Sequence, residues 1–279
     1  MINVLFVSLV FMFGLCIGSF LNVCIYRLPS STSIINPSRS FCPQCNSAIQ
    51  FYDNIPVLSY LWLKGRCRNC KAPISLRYPL VELMTGTLAI ATYFMFGLSI
   101  ESLVYFVFLS SLLVITFIDL DHQIIPDIIT LPGIIIFFLA SFIDRQNIWY
   151  FKILPDKLIE FFAFLPLPAM TYNSVLGVLA GGGSLYLVIW TYYLIRKEEG
   201  MGGGDIKLLA MIGALLGWEG VIFTIFAASL TGTLVGMIVM LQKGKNLKLA
   251  IPFGPFLSIG AMSYVFFGEK VLFWYFHSF

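Results

Sequence analysis

The chain has 279 residues, of which 59% are hydrophobic and only 11% charged, and its mean hydropathy is +0.90. So apolar a composition excludes an ordinary soluble enzyme and points to a polytopic membrane protein. The formal net charge of +3 reflects topology rather than a partner, and no nucleotide or nucleic-acid site is expected.

Taking ~20 residues as the length needed to cross a bilayer, the apolar runs predict an all-α protein of about eight transmembrane helices. They fall at roughly 2–26, 79–98, 101–120, 127–143, 172–196, 204–218, 220–241 and 254–276. The first run has no basic n-region and meets Arg27 only at its far end, so it reads as a retained anchor (residues 1–27) with an outward-facing, periplasmic N-terminus. Cys16 and Cys24 within it read as small packing residues.

Residues 28–78 follow as a compact insertion. Cys42-Pro43-Gln44-Cys45 and Cys67-Arg68-Asn69-Cys70 form two CxxC knuckles at zinc-ribbon separation, and four thiolates at that spacing close a tetrahedral Zn²⁺ site. A four-cysteine set leaves no open coordination position, so the predicted role is structural: a staple for a segment too short to build its own core. Two disulfides are the competing reading, set aside because the segment is expected to face a reducing compartment. That sidedness comes from the basic residues. Arg27, Arg39, Lys64, Arg66, Arg68, Lys71 and Arg77 mark this loop as cytoplasmic, as do Arg196 and Lys197 after the fifth span and Lys243, Lys245 and Lys248 after the seventh. Lys64, Arg66, Arg68 and Lys71 form either a solvated face or a contact with anionic lipid.

Further along, residues 144–171 carry Trp149, Tyr150, Phe151, Phe161 and Phe162 and are predicted to form an interfacial helix on the outer side. Ala180-Gly181-Gly182-Gly183-Ser184 reads as a close-packing stripe. Gly202-Gly203-Gly204 makes the entrance to the sixth span irregular, which requires protein or a wet cavity around it. Ile251-Pro252-Phe253-Gly254-Pro255 is either a helix-start turn or an irregular wall beside an active site.

Two carboxylates stand out at span edges, where an ionised group is costly and usually functional: Asp119 and Asp205. Brought together, two such groups share one proton, so that one acts as base and the other as acid on a water-mediated attack at a peptide carbonyl. Spacing alone does not bring them together, and helix capping is the plain alternative for Asp205, which precedes Ile206-Lys207-Leu208-Leu209. If Asp205 opens a helix and Asp119 closes one, the macrodipoles favour ionisation of Asp205. Lys207 could tune that charge or meet headgroups, the latter being favoured.

The chain resembles the bacterial type IV prepilin peptidases, membrane aspartic proteases of the GxGD type. The resemblance runs over nearly the whole length: Gly18-Ser19-Phe20-Leu21-Asn22-Val23, Arg27-Leu28-Pro29, Phe41 to Cys45, Asp53-Asn54-Ile55-Pro56 and Gly65-Arg66-Cys67-Arg68. It continues through Ile74 to Pro79, Glu82, Asp119 to Asp127, Gly202 to Lys207 and Ile251 to Pro255. It implies a membrane-embedded aspartic peptidase domain over 79–279 with Asp119 and Asp205 as the catalytic pair, in preference to Asp121 and Asp127; His122 reads as a polar boundary residue. It further implies cleavage of prepilin or pseudopilin leaders after a glycine at the cytoplasmic face of the inner membrane. N-methylation of the new terminus from S-adenosylmethionine is implied as well, with no fingerprint from which to name cofactor ligands. A non-enzymatic zinc-ribbon anchor for pilus or secretion assembly and a proton-coupled transporter are the alternatives; the first leaves Asp119 and Asp205 without purpose, and the second lacks a clear inverted repeat.

Overall fold

Inside a bilayer each segment must satisfy its own backbone polar groups, and helices do so without help from neighbours. The computed structural model describes residues 4–37, 39–143, 168–197, 202–243 and 252–277. Among them the helices are α1 (Val4–Arg27), α2 (Leu58–Trp62), α3 (Arg77–Phe96), α4 (Ile100–His122), α5 (Asp127–Ala140), α6 (Ala169–Arg196), α7 (Gly203–Lys243) and α8 (Gly254–His277). The described residues contain no extended strand, only isolated bridges at Phe41 with Ala48 and Arg66 with Pro73. Among the described residues five helices are long and apolar enough to cross a membrane, and α5 and the first part of α8 are shorter apolar helices. Among the described residues the predicted sixth and seventh spans are joined as α7, which breaks at Gly217 (φ 73°). The aromatic stretch at 144–171 lies outside the described residues, save for the start of α6.

The chain divides into two units, Met1–Ile118 and Asp119–Phe279. In the first, α1 crosses α3 closely through a small-residue stripe. A Cβ on Gly14 would lie 2.8 Å from the Gly86 Cα, and one on Gly18 would lie 2.6 Å from the Glu82 Cα. The Asn22 amide donates to the Tyr78 carbonyl (3.0 Å), locking the end of α1 onto the start of α3. Cys24 is buried, as a packing residue should be, whereas Cys16 is exposed on the outer side of α1, so packing within the chain does not explain it.

The second unit repeats the device with α6 and α7. Gly177 and Gly213 face one another so closely that a side chain on either would strike the other's carbonyl, and Gly181 meets the Leu209 carbonyl in the same way. Ser174 Oγ donates across the crossing to the Ala214 carbonyl (2.6 Å). Of the predicted glycine stripe, then, Gly181 packs tightly, while a side chain on Gly183 would meet nothing within 4 Å. The partner of Gly181 lies one turn earlier, at Gly177. Gly213→Leu is expected to lower the unfolding midpoint of the detergent-solubilised protein by many degrees, because backbone cannot yield as a side chain can. Gly183→Leu should leave the midpoint at or above that of wild type; equal midpoints for the two variants would contradict this crossing.

At the far end of that crossing the backbone of α7 turns at Gly217, where only glycine is comfortable. Asn173 of α6 holds the break: its Nδ2 donates to Glu219 Oε2 (3.1 Å) and its Oδ1 accepts the Trp218 N–H (3.4 Å). Glu219 is an acid buried within an apolar helix, and it had no signal in the sequence beyond its lone charge.

Candidate active site and cysteine metal centre

Asp119 lies in the last turn of α4. The helix ends there because Gln123 takes a left-handed φ of 54° while its N–H still bonds the Asp119 carbonyl (2.9 Å), and Pro126 lies shortly beyond. Asp205 lies in the first turn of α7, which opens at Gly203. Both carboxylates are buried, at 5% and 9% exposure, and they are near enough to interact through their charges. The two edges picked out in the sequence are thus brought together within the second unit.

Each partner has a distinct environment. Asp119 Oδ2 accepts the backbone N–H of Gly254 (3.0 Å), the first residue of α8. Asp205 Oδ1 is buried with no hydrogen-bond partner among the described residues. The α7 N-terminus favours charge on Asp205, whereas a donated N–H favours charge on Asp119. The dipole argument alone therefore does not decide which member is ionised, and the opposed biases suit a pair that shares one proton.

Glycine makes the approach possible at both walls. A Cβ on Gly254 would fall 2.6 Å from Asp119 Oδ2, and one on Gly204 would fall 2.9 Å from the Ile125 Cβ. The proline-containing motif is thus both things foreseen for it, a helix start and a wall at Asp119: Phe253 supplies the carbonyl for the Phe256 N–H (3.1 Å), and Gly254 supplies the donor.

Lys207 is placed differently from expectation. The Lys207 ammonium donates to both Asp127 oxygens at 2.7 Å, tying the start of α7 to the start of α5. Lys207 is therefore committed neither to headgroups nor to Asp205. Asp127 is exposed and ion-paired, and Asp121 and His122 are exposed at the end of α4.

The first unit carries the cysteines. Two turns of the same construction present them: the Cys42 N–H bonds the Ser47 carbonyl (3.0 Å) and the Cys67 N–H bonds the Ala72 carbonyl (2.8 Å), with Asn46 and Lys71 at left-handed φ in equivalent places. All four Sγ atoms lie within 4.8 Å of one another, and those of Cys42 and Cys70 are 3.8 Å apart. A tetrahedral zinc with bonds of about 2.3 Å needs sulfurs about 3.8 Å apart, so the set fits that metal, and all four are free thiols. The Ser47 hydroxyl, followed by its backbone, pulls the Cys45 thiol down to about 6, while desolvation and the neighbouring thiols push Cys70 up to about 11, so a cation among the four is what would favour the thiolate in all of them. Arg68, between the second pair of cysteines, does not present a free cationic face. It forms a two-pronged ion pair with Asp53 (2.8 and 2.6 Å) and lies over the Tyr52 ring.

Comparison with known proteins finds two family matches along the chain. Residues 12–96 match the bacterial peptidase A24 N-terminal domain, and residues 106–237 match the type IV leader peptidase family. The chain is 37% identical to the prepilin leader peptidase/N-methyltransferase of Aeromonas hydrophila, covering 99% of this chain and 95% of that protein. The chain belongs to the type IV leader peptidase family. A protein of the same name from Pseudomonas putida is 35% identical over 95% of this chain and 92% of its own length; another from Myxococcus xanthus is 37% identical over 86% and 65%. No solved structure matches. Membership makes the chain an enzyme of the aspartic peptidase class, which sets aside the anchor and transporter readings.

Proposed function

We propose that this enzyme removes the basic leader of type IV prepilins and type II pseudopilins after a glycine, using Asp119 and Asp205. We propose further that it then methylates the new N-terminal amine, with S-adenosylmethionine as methyl donor. The observation that carries the peptidase reading is a pair of buried carboxyls, one oriented by the Gly254 N–H and one with an unpartnered oxygen. The ionised member takes a proton from water, the resulting nucleophile attacks the scissile carbonyl, and the protonated member polarises that carbonyl before protonating the leaving amine. Burial sharpens each of these interactions by excluding competing water. The basic loops support a cytoplasmic location for residues 28–78 and for the pair, in the bacterial inner membrane, with the N-terminus periplasmic. Lipid and the substrate's own apolar helix are then the other partners. Residues 28–78 form the zinc module, 1–27 the anchor and 79–279 the peptidase domain. Cys42, Cys45, Cys67 and Cys70 hold Zn²⁺ in a structural role, with no coordination position left for substrate.

The test is incubation of membranes containing the chain with a prepilin bearing a Gly-Phe junction, followed by mass spectrometry of the product. The expected terminus begins at Phe and carries one added methyl group. An uncleaved substrate would overturn the peptidase reading, and an unmethylated product formed with the methyl donor present would overturn the second activity.

Gly254→Ala probes the geometry itself. The added methyl must displace the Asp119 carboxyl, and misplacement of about 1 Å at reacting groups costs about 10²-fold. Cleavage should fall to that extent while the unfolding midpoint stays near that of wild type; undiminished cleavage would show that Asp119 need not sit where Gly254 holds it.

A further inference from the structure

A helix on the surface of a folded unit normally turns its apolar side inward. The short helix α2 does the reverse. Leu58, Leu61 and Trp62, at the i, i+3 and i+4 spacing of one helix face, are 57%, 65% and 84% exposed, whereas Ser59, Tyr60 and Leu63 line the interior space shared with the cysteine turns. The helix is not loose. The Tyr60 hydroxyl donates to the Ile74 carbonyl (3.4 Å), and the Tyr60 carbonyl accepts the Gly65 N–H (2.9 Å). Phe51, in the 3₁₀ turn Phe51–Asn54 that packs beside α2, is exposed too, as is Leu76 just before α3. An apolar face held outward in this way marks a surface that is covered in use.

The height of α2 is set by α3. Glu82 Oε2 accepts the N–H of Val57, the residue that opens α2 (2.7 Å). Glu82 is buried within a helix long and apolar enough to span a membrane, where a carboxylate is costly. Val57 holds φ 61° and ψ −48°, which a β-branched residue rarely adopts, and such strain persists where the surroundings over-determine it. Both costs fall on one bond, so the level at which α2 starts is a firm feature of the fold. Glu82 lies five residues inside α3 from Arg77, the basic residue at its entrance, or about 7 Å along the helix axis. Helices that lie in a bilayer surface sit about 5–10 Å into the boundary of headgroups and acyl chains. The tether therefore puts the start of α2 at that boundary, and the Trp62 indole suits the same level.

The charges around α2 choose the occupant. Lys64 and Arg66 follow the helix directly, and Lys71 follows the second cysteine pair; all three are exposed, and none has an ion-pair partner among the described residues. Asp53 is the only acid between residues 28 and 76, and Arg68 takes it. Unpaired cations beside an exposed leucine and tryptophan face fit an anionic phospholipid surface, which the apolar side chains enter while the cations meet phosphate. The basic leader of a prepilin would be repelled by the same charges, and a second copy of the chain would bring like charges together.

We propose that α2 is an interfacial helix: Leu58, Leu61 and Trp62 dip into the anionic surface of the bilayer that α1 and α3 cross, and Lys64, Arg66 and Lys71 hold lipid phosphates beside them. The cysteine module is then fixed to the membrane at a third point, besides the end of α1 and the start of α3. This goes beyond the function proposed above and depends on neither of its two activities.

The experiment places a benzophenone amino acid at Leu61, Trp62 or Leu83 of the full chain, in nanodiscs of mixed zwitterionic and anionic phospholipid, and identifies the photo-adducts by mass spectrometry. Leu83, exposed on α3 beside Glu82, is the reference for contact with lipid. The expected result is lipid adducts at 61 and 62 in yields comparable with that at 83. Lys64→Glu combined with Arg66→Glu should then lower the yield at 62 by about fivefold or more, with the yield at 83 and the unfolding midpoint unchanged. Lipid adducts at 83 with none at 61 or 62 would overturn the proposal. Adducts at 62 that join two chains, or that join the chain to an added prepilin in place of lipid, would overturn it as well. A yield at 62 indifferent to the two glutamates would overturn the assignment to anionic lipid.

Discussion

Asp119→Asn and Asp205→Asn should each reduce prepilin cleavage by about 10³-fold or more, the upper part of the range for loss of a positioned acid or base. Asparagine preserves shape at both positions. The Gly254 N–H can still donate to an amide oxygen at 119, so the helix start at α8 should survive and the loss should be chemical rather than structural. An amide, however, can neither take a proton from water nor give one to a leaving amine. Because the two carboxyls work as one unit, the double variant should be scarcely worse than either single one. Asp127→Asn is the matched control: it breaks an exposed ion pair with Lys207, of a kind worth about 0–1 kcal/mol, and should change cleavage by only a few-fold. The measurement is the initial rate on one prepilin in membranes at equal enzyme level. Cleavage that survives both Asp119→Asn and Asp205→Asn, or that vanishes in Asp127→Asn alone, would move the chemistry to another carboxylate.

The sequence made some parts of this molecule plain for physical reasons and hid others for equally physical ones. Cys42, Cys45, Cys67 and Cys70 are legible because a metal fixes ligand spacing within each short turn, and the two turns indeed share one hydrogen-bond pattern. Asp119 and Asp205 are legible because an acid beside an apolar run is costly. Their proximity is not, since it depends on how the last turn of α4, from Asp119 on, and the first turn of α7 meet within the second unit. The Gly254 donor is a backbone group and has no letter of its own; its only trace was a proline-flanked glycine. Lys207 was misread because its partner, Asp127, is 80 positions away. Gly177 escaped notice beside the louder run at Gly181 to Gly183, although it is Gly177 and Gly181, four apart, that share a helix face. Glu82 was visible only as one matched residue of a family pattern; its bond to a strained turn at Val57 belongs to the folded chain alone.

Removing zinc should undo the cysteine module and little else at first. Residues 39–76 hold only one five-residue helix, a single 3₁₀ turn and two isolated bridges, with most side chains exposed or half-buried. Such a segment buries too little apolar surface to offset its own chain entropy. Structural zinc contributes about 10–16 kcal/mol in comparable small sites, so the metal is the decisive term here rather than an addition to an already stable fold. The purified protein is expected to carry one zinc per chain by elemental analysis, and Cys42→Ser combined with Cys45→Ser should carry none. In that variant, limited proteolysis should open new cuts between Arg39 and Leu76, because the two turns lose the atom that joins them. Residues 119–279 form their own unit, so their protease resistance and the buried state of Asp119 and Asp205 should persist. If wild type proves free of zinc yet equally resistant between Arg39 and Leu76, the four sulfurs are not a metal site, and the stability of this segment has to come from its contacts with α1 and α3 instead.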